Sequence, residues 1–133
     1  MKTKLPAFVA VVALALASAV SAQDAAKTSP EHYKVTFENE KVRVLEYDAA
    51  PGGAVCGLGK HSHPAHLTIL LTDATVKVTL PDGKVVTVNG KKGDTFWEPA
   101  VTHEVENVGG TEAKSYVIEL KDQDWKPSTG LTK

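Results

Sequence analysis

The chain lacks most of the features that identify membrane, disulfide-stabilised and nucleic-acid-binding proteins. Among its 133 residues there is one cysteine, Cys56, so no intramolecular disulfide can form. Its 15 Lys and Arg residues form no cluster and are balanced by 16 Asp and Glu, which argues against nucleic-acid binding. No apolar run reaches the ~20 residues of a membrane span. Stability must therefore come from a hydrophobic core, which a single domain of this length can build.

The first 22 residues are typical of a secretory signal peptide. Lys2 and Lys4 precede an apolar run from Phe8 to Ala17, and small residues follow as far as Ala22. This pattern predicts cleavage after Ala22 and a periplasmic or secreted product that has no membrane contact after cleavage. An uncleaved membrane anchor is the alternative. Removing residues 1–22 takes two lysines and no acidic residue, so the net charge moves from −1 to −3.

Beyond the signal peptide, the sequence divides into three parts. Residues 23–31 are small, polar and aperiodic, and are expected to form a flexible leader without regular structure. Residues 32–121 contain nearly all the alternating apolar patterns, and so are expected to form the folded domain. Residues 122–133 contain one large aromatic residue, Trp125, and are expected to form a loosely held C-terminal tail.

The central part is typical of an all-β protein. Short runs rich in Val, Thr, Tyr and Ile alternate with turn residues, and no window keeps the 3.6-residue apolar period of a helix. About nine short strands in one domain predict a sandwich or a barrel. The predicted strands are residues 34–37, 42–47, 54–56, 67–71, 75–80, 84–88, 95–98, 103–107 and 114–120.

Four of the five histidines form the most informative pattern in the sequence. His61, His63 and His66 fall within six positions, and His103 opens a later strand. In an extended segment, residues i and i+2 lie on one face, so His61 and His63 can present two imidazoles to one ion. In a closed barrel, His103 can complete the set and leave positions open for water or substrate. The alternative is that these histidines only satisfy structural hydrogen bonds.

Other residues are candidates for acid–base chemistry beside such a site. His66, Glu98 and Tyr47 are the candidate catalytic residues. His66 is also a candidate fourth ligand, although its parity relative to His63 is wrong unless the chain turns between them. The aromatic residues on either side of Glu98 leave its orientation open. Cys56 is either near the pocket or simply buried, as free cysteines often are.

Two segments together resemble the signature motifs of the cupin superfamily. In the first, Gly57 or Gly59 leads into His61-Ser62-His63. In the second, four residues fill the motif positions at the expected spacing: Gly93, Pro99, His103 and Asn107. The resemblance covers residues 34–120. There are two departures: the glutamate of the first motif would fall at Leu67 or Thr68, and the usual glycine after the proline is Val101.

The resemblance implies an all-β, double-stranded β-helix, a jelly-roll-like barrel with a pocket at its wider end. It implies a divalent transition metal, Fe, Mn, Ni, Zn or Cu, bound by His61, His63 and His103. It also implies a homodimer, because cupin barrels frequently pair through edge strands. Without the glutamate the ligand set is uncharged, which weakens binding of hard, oxygen-preferring ions. Asn107 is expected to be structural and to hold the following turn.

Three functional interpretations follow. The first is an exported metal-binding cupin that acts on a small molecule, such as a dioxygenase, lyase or isomerase. The second is a module that binds a metal or a small ligand without turnover, which the missing glutamate favours. The third is a barrel with vestigial motifs. An acid or base beside an open metal position distinguishes the first from the second.

Overall fold

The computed structural model describes residues 24–52, 54–55 and 60–121, and within them one short helix and ten strands. The predicted signal peptide, Cys56, Gly57, Gly59 and the tail 122–133 lie outside these ranges. No helix in the described ranges is long and apolar enough to cross a membrane. The elements are α1 (Ala25–Thr28), β1 (Tyr33–Glu38), β2 (Val42–Ala49), β3 (Ala54–Val55), β4 (His61–His63), β5 (His66–Leu70), β6 (Ala74–Thr79), β7 (Val85–Gly90), β8 (Thr95–Glu98), β9 (Val101–Asn107) and β10 (Ala113–Leu120).

The strands form two antiparallel five-stranded sheets. The first sheet has the order β1-β2-β10-β5-β8. The second has the order β3-β9-β6-β7, and β4 pairs with β9 beside this path. Neighbours in each sheet are mostly distant in sequence, which is typical of jelly-roll connections rather than of a simple meander. The predicted all-β, double-stranded β-helix is confirmed.

The predicted flexible leader is corrected by the structure. Asp24 caps α1 by accepting a hydrogen bond from the Ala26 amide at 2.9 Å. Ala25 and Ser29 are completely buried, so this segment packs on the barrel. The residues of the segment are small and polar, but Asp24 forms an ion pair with Arg43 of β2, and this ion pair holds the segment against the barrel. The folded unit therefore includes residues 24–31, ahead of the predicted boundary at residue 32.

Side chains that point into the barrel form successive layers. Across the first sheet, one register row joins Leu45, Val117, Thr68 and Phe96. The second sheet contributes Val105 opposite Val78 of β6. Together with the buried tyrosines and alanines, these side chains make up the core between the sheets. The layer on one side of this apolar row is polar and contains the candidate site.

The outer face of the first sheet also carries a row of apolar side chains. Following the register from strand to strand, the row consists of Phe37, Val44, Ile118, Leu67 and Trp97. Phe37 and Trp97 are 54% and 58% exposed. Apolar residues therefore occupy both faces of this sheet, and alternation alone does not tell its inner face from its outer face.

Candidate functional site

Three histidines meet where β4 pairs with β9. His61 lies opposite His103 in the antiparallel register, and His63 lies two residues further along β4 on the same face. Their exposed fractions are 0%, 4% and 5% for His61, His63 and His103. One nitrogen from each ring lies within 4.8 Å of the others. Three imidazoles converging from two strands form a suitable donor set for one transition-metal ion.

The strand alternation in β4 places both histidines inside. Ser62, between them, points the other way, and its hydroxyl lies 2.8 Å from that of Thr102 on β9. Nε2 of His61 forms a hydrogen bond of 3.2 Å with the Tyr33 hydroxyl. An extended His-x-His segment is expected from the sequence, but no strand is predicted there. Its pairing with β9 brings His103 to the other two.

His103 supplies the strongest indication of a ligand. Within the part of the chain that the structure describes, neither of its buried ring nitrogens has a hydrogen-bond partner. Burial, with repulsion from His61 and His63, lowers the pKa of His103 to about 3. The ring is therefore neutral at physiological pH, which is the form that coordinates a metal. Buried polar atoms without partners are rare and require an explanation. A metal bound at this group accounts for at least one of the two nitrogens.

On the side of Nδ1, His63 is hydrogen-bonded to a chain of charged side chains. Its Nδ1–H donates to Glu119 Oε1 at 2.7 Å, and Arg43 Nε donates to Glu119 Oε2 at 2.6 Å. Arg43 also donates to both carboxylate oxygens of Asp24, at 2.7 and 3.2 Å. Burial opposes the shift, but the hydrogen bonds from His63 and Arg43 lower the pKa of Glu119 below its usual range. The proton on Nδ1 leaves Nε2 of His63 available as the donor to a metal.

His66 points into the same space as the three histidines and contacts Glu98. The break at Pro64 and Ala65 resets the alternation between β4 and β5, so His66 is inward-facing. Its ring centroid lies 4.9 Å from that of His63. Nδ1 lies 2.8 Å from the Pro64 carbonyl, and Nε2 lies 2.9 Å from Glu98 Oε2. Both nitrogens are thus engaged, and a role for His66 as fourth ligand stays a prediction.

The His66–Glu98 pair holds a proton. Because a carbonyl oxygen only accepts, Nδ1 of His66 is the donor to Pro64. The contact between Nε2 and the carboxyl group then requires a second proton between them. The hydrogen bond from His66, opposed by burial, lowers the pKa of Glu98. Burial opposes the rise at His66, but Glu98 and the Pro64 carbonyl raise its pKa. The pair is therefore an imidazolium and a carboxylate, and Glu98 faces inward.

A cavity of about 230 Å³ extends from the histidines between the two sheets. His63, His66, His103 and Glu98 line it, and most of its remaining wall is apolar. Thr68, at one of the positions where the motif glutamate was expected, lines the cavity with a hydroxyl instead. Tyr47, the third catalytic candidate, is 5% exposed and also lies in the wall. The cavity brings all three catalytic candidates to one space.

Two further motif residues have clear structural roles. Asn107 donates from Nδ2 to the carbonyls of Ala49, Ala50 and Thr111, and its Oδ1 accepts from the Gly109 amide at 3.0 Å. The predicted structural role of Asn107 is confirmed. Gly93 adopts φ of 93°, a left-handed turn conformation that favours glycine.

The sequence interpretation missed Glu119 and Arg43. On β10, Ser115, Val117 and Glu119 point inward, while Tyr116 and Ile118 point outward. The signal was present in the sequence, since Glu119 is a charged residue on the polar side of a strand whose other side is apolar. Only the register identifies that polar side as the inner one.

Solved structures of known proteins share this architecture, as described below. No protein-family model matches the chain, and no curated protein matches it in a sequence search. A solved cupin domain from Bordetella pertussis Tohama I is 29% identical with a TM-score of 0.61, and the match covers 68% of this chain and 92% of that one.

Two further structures show the same fold at lower identity. A protein with a double-stranded beta-helix domain from Klebsiella pneumoniae is 19% identical with a TM-score of 0.55, over 70% of this chain and 78% of that one. A cupin superfamily protein from Desulfitobacterium hafniense DCB-2 is 16% identical with a TM-score of 0.51, over 68% of this chain and 76% of that one. Strand order, paired motifs and these structures agree: the chain is a small protein of the cupin superfamily.

Proposed function

We propose that this protein binds one divalent transition metal through His61, His63 and His103 and uses it to act on a small molecule in the adjoining cavity. The observation that carries the proposal is His103, whose two buried nitrogens have no partner among the described residues. A histidine that only stabilised the fold would be expected to have a hydrogen bond. Three neutral imidazoles suit Zn, Cu, Fe or Ni better than the hard ions Mg or Ca.

The protein's own groups divide the work at this site. Glu119 orients His63, while Tyr33 contacts His61. When bound, the metal supplies Lewis acidity or, if it is redox-active, oxygen activation. His66 holds a proton at Nε2, shared with Glu98, and its ring lies next to that of His63. A substrate whose reacting atom lies near this nitrogen can therefore receive or return a proton without bulk water.

A non-catalytic binding module is the competing function. Thr68, in place of the glutamate, offers no carboxylate to a metal. The ion pair between His66 and Glu98 favours the enzyme, because a site that only binds a ligand does not need a shared proton next to its histidines. Turnover that is lost in Glu98→Gln, with metal content unchanged, supports the enzyme. Unchanged turnover in that variant argues against a catalytic role for the pair.

Metal content is the direct test of the site. The purified chain is incubated with each candidate ion, desalted and measured by elemental mass spectrometry. We expect about one equivalent of metal, and no stoichiometric metal in His61→Ala or His103→Ala. His32→Ala is the matched control, because His32 is bonded to the Asp48 carbonyl and is not in the trio. If no ion is retained, or if His103→Ala retains it, the proposal is wrong.

We further propose that the protein is exported and works as a homodimer, as expected from the N-terminal sequence and from the cupin resemblance. The N-terminal pattern of two lysines, an apolar run and small residues supports export. Cell fractionation and N-terminal sequencing of the natural protein test it, and an N-terminus at Gln23 is the expected result. Light scattering during size-exclusion chromatography tests the dimer.

A further inference from the structure

The distribution of polar and apolar side chains around the cavity indicates the chemical class of the ligand. The polar groups at the histidine end of the cavity are His63, His66, His103 and Glu98. His66 and Glu98 are neighbours in a register row that continues to Glu119 and Arg43, which are not among the residues that line the cavity. The next layers inward are mainly apolar. The apolar side chains of the wall come from both sheets: Leu70, Val76, Val78, Val88, Phe96, Val105 and Val117.

We propose that the site takes a compact, mostly apolar monoanion, an aromatic or branched carboxylate being the simplest case, rather than a sugar, polyol or amino acid. Its anionic head lies at the histidines, and its apolar body lies along the valine-lined wall. This inference rests on the proposed function, because the head group is bound by the metal. It goes further by specifying the chemical class of the ligand.

We infer an anionic head group from the charges at the histidine site. Three imidazoles are neutral donors, so they leave the charge of a divalent ion uncompensated. Glu98 and Glu119, the carboxylates next to the trio, are already paired with His66 and with Arg43 and His63. An anionic ligand therefore gains more at this ion than at one that already has a carboxylate ligand.

The apolar body follows from the lining of the wall. Beyond the histidine layer, the polar side chains are the hydroxyls of Thr68, Ser115 and the two tyrosines, together with Lys114. Lys114 is engaged by Asp48 and Glu112, at 3.1 and 3.3 Å, so it is already neutralised. A polyol would bury several hydroxyls against valines. Each hydroxyl that is buried without a hydrogen-bond partner opposes binding.

The size of the cavity sets an upper limit on the body. An engineered protein cavity of about 150 Å³ binds benzene. This cavity is about 230 Å³. The additional space accommodates a substituent or a carboxylate on one ring.

Calorimetry on the zinc-loaded full chain tests the inference, with zinc chosen because it has no redox chemistry. The probes are benzoate, cyclohexanecarboxylate, gluconate and benzyl alcohol. We expect benzoate and cyclohexanecarboxylate to bind at least tenfold more tightly than gluconate, which tests the body. They should also bind at least tenfold more tightly than benzyl alcohol, which tests the head.

A pair of matched variants locates the binding. Val76→Phe fills the cavity and should weaken benzoate binding at least tenfold while keeping the zinc. Val85→Phe makes the same change at a residue that is 53% exposed, and should leave both unchanged. Zinc retained with gluconate bound as tightly as benzoate, or with Val76→Phe unaffected, overturns the ligand class alone. If the chain binds another candidate ion but not zinc, the same comparison is made with that ion. Failure to bind any candidate ion overturns the proposed function and, with it, the metal-bound head group.

Discussion

Replacing Glu119 with glutamine tests whether the carboxylate behind His63 sets the metal affinity. In the native site the carboxylate accepts from both His63 Nδ1–H and Arg43 Nε–H. An amide has one acceptor oxygen, so it cannot serve both donors. If its NH₂ group faces His63, the ring must accept at Nδ1, and its proton moves to Nε2. The nitrogen that should bind the metal is then blocked.

The magnitude follows from similar outer contacts in metal sites. Losing such a partner typically costs about 10–100-fold in metal affinity. This corresponds to about 1.4–2.7 kcal/mol. Competition between the protein and a chromophoric chelator for zinc measures the change. Glu38→Gln is the control, because Glu38 is an exposed carboxylate beside Arg43 in the register that pairs with Lys121 and not with a histidine. A Glu119→Gln dissociation constant within twofold of the wild type would refute the reasoning.

Three further predictions concern stability and its link to the site. His103→Phe should leave the metal-free chain at least as resistant to urea as the wild type, because it removes two buried nitrogens that have no hydrogen-bond partner among the described residues. It should also abolish stabilisation by zinc, and a loss of stability above about 2 kcal/mol in the metal-free chain contradicts the prediction. Asn107→Asp should cost about 2–4 kcal/mol in urea unfolding, because a carboxylate cannot donate to three carbonyls; a loss below about 1 kcal/mol contradicts it. The hydrogen bonds and charge of Arg43 outweigh burial and lower the pKa of Asp24, so its stabilisation is complete above the ordinary value of 3.8 and is lost as pH falls through the lowered pKa. Unfolding at pH 7 and pH 2 should show Asp24→Asn destabilised at pH 7 and closer to the wild type at pH 2, and an equal deficit at both contradicts this.

The strands and the metal-ligand candidates could be predicted because their signals are local. Alternation of Val, Thr and Ile predicts strands, and the spacing of Gly93, Pro99 and His103 forms a recognisable motif. The segment of β4 has no such alternation, since His-Ser-His is polar throughout. Its strand conformation comes from pairing with β9, which is a tertiary effect.

The outer partners of the site could not be predicted for a different reason. Arg43 and Glu119 lie far apart in sequence and meet only because β2 and β10 are neighbours in register. The apolar side of β10 faces outward, against the usual rule that apolar side chains face the core. Similarly, Asp24 belongs to a short segment that packs on the barrel through the buried Ala25 and Ser29 and through an ion pair with Arg43, which is distant in sequence.

The pairing of His61 with His103 has a consequence for the order of events in folding. The two residues approach only after β4 and β9 associate, and such contacts between distant parts of a chain form slowly. Before that, His61 and His63 alone offer an ion two donors on a flexible segment. A metal that binds the native trio stabilises the folded state more than the unfolded chain, which offers it fewer donors. The bound metal is thus expected to slow unfolding of the barrel and to leave its folding rate nearly unchanged.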